Sequence, residues 1–369
     1  MCSNTFHDMD KIIIGGIAYT KEDFKEGRKT GFTGESTFHH QLYMFLKDWF
    51  SGTPTMRLNT SGSTGVPKEI IVRKEQMLQS AKITCDFFEL KRNDKVLLCL
   101  PLDYIAGKMM VVRALYAGLD LYLVKPSGHP LLGTDITFDF AAMVPLQVYN
   151  SLKRDKERER LSKIKHLIIG GGAINEKIEK ALKDFPNAIY STYGMTETLS
   201  HIALRRINGT EASSYYTPFP TVSLTLSDDN TLIVDAPLVT DGPLKTNDVA
   251  ELRQDGSFRI TGRKDNIINT GGIKVQIEEI EQVLSSHITG NFAITSIPDP
   301  RLGEAIVLLV EQPVSPVSVR KAIEQLLPRY LQPLHIYAVT AIPQTGNGKI
   351  SRTATRQLAI HSGVMGDRP

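Results

Sequence analysis

The 369-residue chain predicts an α/β fold with a large layered N-terminal domain and a small α+β C-terminal domain. Three observations carry this. Between residues 55 and 200, short apolar runs alternate with segments of helical spacing, the rhythm of stacked strand and helix layers. Residues 218–262 change character, with short runs separated by Asp-Asp-Asn and Asp-Gly turns that suit antiparallel hairpins. From residue 265 onward a separate α+β rhythm covers about 100 residues, enough for a compact domain. The expected division is 1–264 and 265–369, at the polar bend Gly262-Arg263-Lys264-Asp265.

Taken in order, Lys11–Ile14 reads as a short strand broken by Gly15-Gly16. Phe38–Phe50 reads as a helix with Leu42, Phe45, Leu46 and Trp49 along one side. Thr55–Leu58 feeds a Ser/Gly loop, a strand–loop order suited to a phosphate loop at a sheet edge. Ile70–Val72 is a strand and Lys74–Phe88 a helix; Lys95–Leu100 is a buried strand, Tyr104–Ala117 a packed helix and Asp120–Val124 a strand. Phe140–Gln147 joins a strand end to a helix start at Pro145. The run Lys153–Arg160, dense in both signs, reads as a solvated margin. Ile164–Ile169 is a strand leading to Gly170-Gly171-Gly172-Ala173, Asn175–Leu182 a helix, and Ala188–Tyr190 a strand. Val222–Leu226, Thr231–Val234, Val249–Arg253 and Phe258–Ile260 are the hairpin strands. In the last segment Val275–Leu284 and Val317–Leu327 read as helices, and Phe292–Ser296, Ala305–Val310 and Tyr337–Val339 as strands.

Composition narrows the partners. A formal charge of +3 gives no case for nucleic-acid binding, though it suits an anionic substrate. Cys2, Cys85 and Cys99 form no CxxC pair and read as reduced thiols. No apolar run reaches transmembrane length and the N-terminus lacks a signal-peptide core, so a cytoplasmic protein without stable membrane insertion is expected. The oligomeric state stays open, a homodimer included.

Five constellations bear chemistry. Thr60-Ser61-Gly62-Ser63-Thr64-Gly65, followed by Pro67-Lys68, offers hydroxyls, backbone N–H groups and a cation to an anion; the alternative is a Ser/Gly surface turn. Gly170–Ala173 lets a planar ligand approach, or is a tight strand-to-helix turn. Tyr193-Gly194-Met195-Thr196-Glu197 supplies a ring, a hydroxyl and a carboxylate suited to magnesium, or starts a helix with an acidic residue. Asp248 and Arg263 fit a ribose diol and a nearby phosphate, or form a structural salt bridge. Lys349, between Gly348 and Ile350, could neutralise a reacting phosphate, or sit on an exposed turn.

Together these stretches resemble the adenylate-forming superfamily of acyl-CoA synthetases, luciferases and nonribosomal-peptide adenylation domains. The resemblance rests on TSGSTGVPKE (Thr60–Glu69), YGMTE (Tyr193–Glu197), TNDVAEL (Thr246–Leu252), TGRKDNIINTGGIKVQIEEIE (Thr261–Glu281) and GNGKISR (Gly346–Arg352), in the family's order. CLPLDYIAGKMMVVRALYAG (Cys99–Gly118) and TYGMTETLSHIALRRING (Thr192–Gly209) are similar to the o-succinylbenzoate–CoA ligases of menaquinone synthesis. The resemblance implies an N-terminal domain shortened at its start, since Thr60 comes early for the family. It also implies ATP, Mg2+ and CoA as co-substrates and cofactor, with a small aromatic or acyl carboxylate as the acid.

By the resemblance, Thr60, Ser61, Gly62, Ser63, Thr64, Gly65 and Lys68 hold the β- and γ-phosphates, and Gly171, Gly172 and Ala173 border the adenine and acyl sites. Tyr193 stacks on adenine, Thr196 contacts the α-phosphate and Glu197 positions magnesium. Asp248, with Arg263 beside it, takes the ribose. Asp265 is the hinge, Lys349 the catalytic lysine of adenylation, and Gly271-Gly272 lines the thioester-forming tunnel in a second conformation. Arg205 or Arg206, Ser200 and His201 are candidates for the far end of the acid, His201 being equally readable as a surface residue capping a following helix. The chain departs from the family at Glu69, where glycine is usual, at Asn247 within the usual Thr-Gly-Asp, and at Tyr104, where related ligases often carry His. Other readings left open are a different aryl- or acyl-CoA ligase, an adenylation domain loading a carrier protein, and an inactive nucleotide-binding regulator.

Overall fold

The structure is a computed structural model, and the residues it describes are 10–25, 36–59, 69–174, 176–285, 287–314, 316–345 and 349–366. Strand β1 (Lys11–Ile14) turns at Gly15-Gly16 into β2 (Ile17–Thr20). Both glycines have positive φ, +58° and +81°, a region that side chains disfavour. Helix α1 (Thr37–Phe50) buries Leu42, Phe45, Leu46 and Trp49 on one side, as the spacing predicts. Ser36 caps its start, its Oγ accepting from the His39 N–H at 3.3 Å. Its last turn is satisfied from outside: Lys74 Nζ donates to the carbonyls of Asp48, Trp49 and Ser51 at 2.8, 2.7 and 3.2 Å. A cation there also complements the helix dipole.

Strands β3 (Thr55–Asn59) and β4 (Glu69–Arg73) pair antiparallel as a separate two-stranded ribbon. The Thr60–Lys68 segment therefore joins two strands of a separate ribbon, where the order of runs suggests a phosphate loop at a sheet edge. The seven phosphate-loop candidates, Thr60 to Gly65 and Lys68, lie outside the described residues.

The first part continues through α2 (Lys74–Phe87), β5 (Lys95–Leu98), α3 (Ile105–Ala117), β6 (Asp120–Leu123), β7 (Phe140–Met143) and α4 (Pro145–Leu152). It ends with α5 (Asp155–Ser162), β8 (His166–Ile169), α6 (Glu176–Leu182), β9 (Ala188–Gly194), β10 (His201–Arg206) and β11 (Thr217–Pro218). Pro145 sits at the first turn of α4, where its missing N–H costs nothing. The strands form a nine-stranded sheet in the order β11-β10-β9-β8-β7-β5-β6-β1-β2. β5 pairs in parallel with β6 on one side and β7 on the other, and β8 and β9 follow beyond β7. The winding direction thus reverses beside β5, and the crevice at the carboxyl ends of these strands is the expected ligand position. The central strands are buried on both faces, which is why KVLL, FAAM and HLII read as almost continuous apolar runs.

A four-stranded antiparallel sheet follows, of β12 (Ser223–Leu226), β13 (Thr231–Asp235), β14 (Leu244–Leu252) and β15 (Phe258–Arg263), as the turn chemistry predicts. Beyond it lie β16 (Ile267–Thr270), β17 (Ile273–Gln276), α7 (Ile277–Ser285), β18 (Phe292–Asp299), β19 (Gly303–Glu311), α8 (Pro316–Leu326), β20 (His335–Val339) and α9 (Arg352–Gly366). Val275, expected in a helix, belongs to β17, and α7 starts two residues later. This last sheet carries apolar residues on both faces. Ile268, Ile294 and Leu308 pack with Ile280, Leu284 and Ile323, while Ala293, Val307 and Leu309 pack with Ala359. No described helix is long and apolar enough to cross a membrane.

The charged run 153–160 is only partly solvated. Within α5, the Glu157 side chain is fully buried; its Oε1 lies 2.8 Å from His129 Nδ1, and its Oε2 accepts from Ser151 Oγ at 3.2 Å. This clips the 125–135 loop to α5 over a distance that charge counting does not see. Replacing Glu157→Leu should lower unfolding stability by about 1–3 kcal/mol, because it leaves the Ser151 hydroxyl and His129 without their acceptor. A melting curve at neutral pH checks this.

Candidate active site

Two loops leave the carboxyl ends of adjacent parallel strands. After β8, Gly170–Ala173 turns out of the sheet; Gly171 has φ +81°, and Gly171, Gly172 and Ala173 are exposed. Gly170 is required by a close approach, since an added Cβ would lie 2.2 Å from Thr192 Oγ1. After β9, Thr196–Thr198 forms a short 3-10 turn. It is closed by Thr198 Oγ1, which accepts from the Met195 N–H at 3.0 Å and donates to the Ser200 carbonyl at 2.8 Å. At its tip, Thr196 is half-buried and Glu197 exposed.

The third part comes from the antiparallel sheet. Asp248 of β14 and Arg263 of β15 are register partners across the ladder. Arg263 Nη1 donates to Asp248 Oδ1 at 2.8 Å, and Tyr193 Oη donates to Asp248 Oδ2 at 2.7 Å. Arg263 also forks onto Asp265, Nε to Oδ1 and Nη2 to Oδ2, both 2.9 Å. One guanidinium thus ties the ribose candidate to the hinge candidate. Burial, then the adjacent Asp248 carboxylate, raises the Tyr193 phenol above its usual pKa, so it remains a donor at neutral pH. The Arg263 guanidinium is held above its usual value first by its bonds to Asp265 and also by the Asp248 charge. The Tyr193 ring packs edge-on to Phe258, with centroids 5.0 Å apart.

Lys349 arrives from the last part of the chain. Gln344 and Ile350 form an antiparallel bridge, Thr345 N–H donates to the Lys349 carbonyl at 2.7 Å, and Lys349 N–H donates to Thr345 Oγ1 at 3.2 Å. Gly346–Gly348 lie outside the described residues. Three residues on, Arg352 forks onto Glu281 at 2.6 and 2.7 Å and anchors the turn to α7. Lys349 Cγ lies 3.9 Å from where a Cβ on Gly172 would be, so the lysine reaches the loop after β8. Burial around its ammonium lowers the Lys349 pKa, the positive Arg263 adds to this, and Asp248 opposes it. The residue as a whole is exposed, so the crowding is confined to the end of the chain.

Tyr193, Asp248, Arg263, Gly172 and Lys349 are therefore neighbours, although the last is 86 residues beyond Arg263. Gly271-Gly272 is elsewhere. It forms the β16–β17 hairpin turn, with φ +58° and +82°, and Gly271 N–H donates to the Leu302 carbonyl at 2.8 Å. Several acid-site candidates have other duties. His201 is buried and starts strand β10, so it is neither a surface residue nor a helix cap. Burial and then Arg113 push its pKa well below the usual value, which keeps it neutral. Arg205 is bonded to Glu179 and to the Ser213 carbonyl, and Arg206 lies over the Tyr190 ring at 5.0 Å. The residue that motif reading passed over is Arg113, buried in α3 and bonded to Ser200 at 2.6 Å. An arginine inside the apolar run Met109–Leu115 was the available signal.

Among the described residues no group of three or more His, Cys, Asp or Glu could hold a metal ion. The donor set fits magnesium of another kind: one exposed carboxylate, Glu197, to which a metal already held by nucleotide phosphates could bind.

The family model of the AMP-binding enzymes matches residues 52–243. The chain is 29% identical over 326 residues to a protein of Haemophilus influenzae named 2-succinylbenzoate–CoA ligase, covering 83% of this chain and 70% of that one. A solved acyl-CoA synthetase (AMP-forming)/AMP-acid ligase II-like protein from Dyadobacter fermentans is 33% identical, with a TM-score of 0.60 over 89% of this chain and 98% of its own. The o-succinylbenzoate CoA synthetase of Bacillus subtilis, solved with ATP and magnesium, is 20% identical with a TM-score of 0.68, over 80% of this chain and 68% of its own, a likeness of fold. The matched residues hold the crevice loops after β8 and β9, and on that ground the chain belongs to the AMP-binding enzyme family.

Proposed function

We propose that the chain is an ATP-dependent, AMP-forming acid–CoA ligase whose acid is 2-succinylbenzoate. The observation that carries this reading is the approach of Lys349 to Gly172 beside the Asp248–Arg263 pair, which gathers a cation, a diol acceptor and an open glycine loop at the carboxyl ends of the parallel strands. The name of the Haemophilus influenzae relative supports the choice of acid.

In the first half-reaction an oxygen of the acid's carboxylate attacks the α-phosphorus of ATP. The bond to the pyrophosphate oxygen breaks, leaving an acyl-adenylate. Lys349 stabilises charge on the phosphate oxygens, the Thr196 hydroxyl orients the α-phosphate, and Asp248 accepts from the ribose hydroxyls. Tyr193 lies beside the adenine, with Gly171, Gly172 and Ala173 leaving it room. Thr60, Ser61, Gly62, Ser63, Thr64, Gly65 and Lys68 take the departing pyrophosphate. Glu197, together with the nucleotide, would hold magnesium, which would supply charge neutralisation at the phosphates. In the second half-reaction the sulfur of CoA, having lost its proton, attacks the acyl carbon, and the bond to AMP breaks. For this step residues 265–369 turn as one domain about Asp265, withdrawing Lys349 and bringing Gly271-Gly272 to residues 1–264. The thiol belongs to CoA. Burial pushes the Cys85 and Cys99 thiols up to about 12, which makes them poor nucleophiles.

The test is exchange of labelled pyrophosphate into ATP with a panel of aryl and acyl acids. 2-Succinylbenzoate should drive magnesium-dependent exchange, and adding CoA should yield thioester and AMP. Exchange with a different acid alone would move the substrate. Thioester formation on a carrier protein but not on CoA would make the chain a carrier-loading enzyme. No exchange by folded protein with any acid would overturn the reading.

A further inference from the structure

Arg113 is only 2% exposed, and among the described residues no carboxylate pairs with it. Its Nη2 donates to Ser200 Oγ at 2.6 Å, its Nη1 lies 3.6 Å from Met110 Sδ, and its Nε has no partner among the described residues. The guanidinium lies over the Phe140 ring, 6.0 Å from its centroid. Burial lowers its pKa to about 10, so it is still charged at neutral pH. A buried cation without a counter-charge is expensive, and leucine or methionine would fill this part of α3 at lower cost. Among the described residues, only Ser200 accepts a strong hydrogen bond from it.

Ser200 closes the turn that carries Thr196 and Glu197. Leu199, just before it, has φ +64° and ψ −39°, a conformation unfavourable for a branched side chain that the surroundings must enforce. The Ser200 carbonyl accepts from Thr198 Oγ1 at 2.8 Å and crowds Gly194, where an added Cβ would lie 2.3 Å away. Ser200 Oγ also lies 3.2 Å from His201 Nδ1, whose other nitrogen is 3.3 Å from Thr84 Oγ1 on α2. The turn is thus fastened at its far end to two helices, and among the described residues its exposed tip has no such fastening.

We propose that Arg113 is a positioning residue: anchored in α3, it holds Ser200 and thereby fixes Thr196 and Glu197 where the α-phosphate and magnesium of the nucleotide must sit. The proposal rests on the nucleotide reading given above. It also accounts for Ser200 without giving it to the acid.

Calorimetric titration of the whole protein with ATP and magnesium, with no acid present, tests this separately from any acid contact. Ser200→Ala removes one hydroxyl and should weaken binding about tenfold, raise the magnesium needed for half-saturation several-fold, and lower the melting temperature without unfolding the protein, because buried Arg113 loses its strong acceptor. Arg113→Met should match it in binding, and Arg113→Met with Ser200→Ala should be no worse than Arg113→Met alone. Arg113→Lys, which keeps the charge and a donor, should recover part of the loss. If Arg113→Met does not fold, Ser200→Ala and Arg113→Lys carry the test. Wild-type affinity in folded Ser200→Ala, or losses that multiply in the double variant, would overturn the proposal. A wild-type protein that does not bind the nucleotide would overturn the nucleotide reading instead.

Discussion

Lys349→Ala is expected to reduce acid-dependent pyrophosphate exchange about 10²–10³-fold, the usual cost of removing one group aimed at developing charge. Thioester formation from acyl-adenylate supplied ready-made should fall much less, because the proposed mechanism withdraws the lysine for that step. The fold should survive. Lys349 is exposed overall, and the turn is held by its backbone bonds to Thr345 and by the Arg352–Glu281 fork. Stopped assays of the two half-reactions separate these outcomes, and equal loss in both would remove Lys349 from its assigned role. The pH profile carries a sign. Burial and Arg263 lower the Lys349 pKa, and the protonated lysine is the useful form. kcat/KM for adenylation should therefore fall on the alkaline side at a pH below that of an ordinary lysine. In kcat, which reports the complex, the same limb should move upward, because bound phosphates favour the charged form.

Asp248→Ala should raise the KM for ATP about 10–100-fold, in line with losing hydrogen bonds to a charged acceptor. Its two oxygens are already engaged by Arg263 and Tyr193, and each retains lone pairs for a ribose hydroxyl. Removing the carboxylate takes away the proposed ribose acceptor and the acceptor of the half-buried Tyr193 hydroxyl. It also frees one arm of Arg263 while the fork onto Asp265 remains. Asp248→Asn keeps the shape and should lose less in KM, since the amide oxygen can still accept. Titration with ATP and with deoxy-ATP gives the decisive comparison: wild-type protein should discriminate between them, and Asp248→Ala should not.

Much of the fold was legible because burial leaves a local trace. Leu42, Phe45, Leu46 and Trp49 mark one side of α1 by spacing alone, and the central strands show as unbroken apolar runs. Strand β10 was not legible: His201, Arg205 and Arg206 make HIALRR look polar. Their polarity is absorbed by partners far away in the chain, Thr84, Glu179 and Tyr190. Glu157 misleads in the same way, being read as solvated until His129 and Ser151 are found around it. The ribbon of β3 and β4 was hidden because two short strands carry no sign of which partner they choose.

For the site, residue chemistry and motif order were enough to nominate candidates: Asp248 for a diol, Glu197 for magnesium and Lys349 for a reacting phosphate. Those are properties of side chains and can be read one residue at a time. Which groups meet depended on the folded chain. Register alone sets Asp248 opposite Arg263, and the docking of a distant turn brings Lys349 to Gly172. Arg113 and Ser200, 87 residues apart, join only because α3 packs beneath the turn after β9. Local pattern encodes what a residue can do, whereas long-range packing decides which other residue it does it with, since a contact's energy depends on distances that no short stretch of sequence contains.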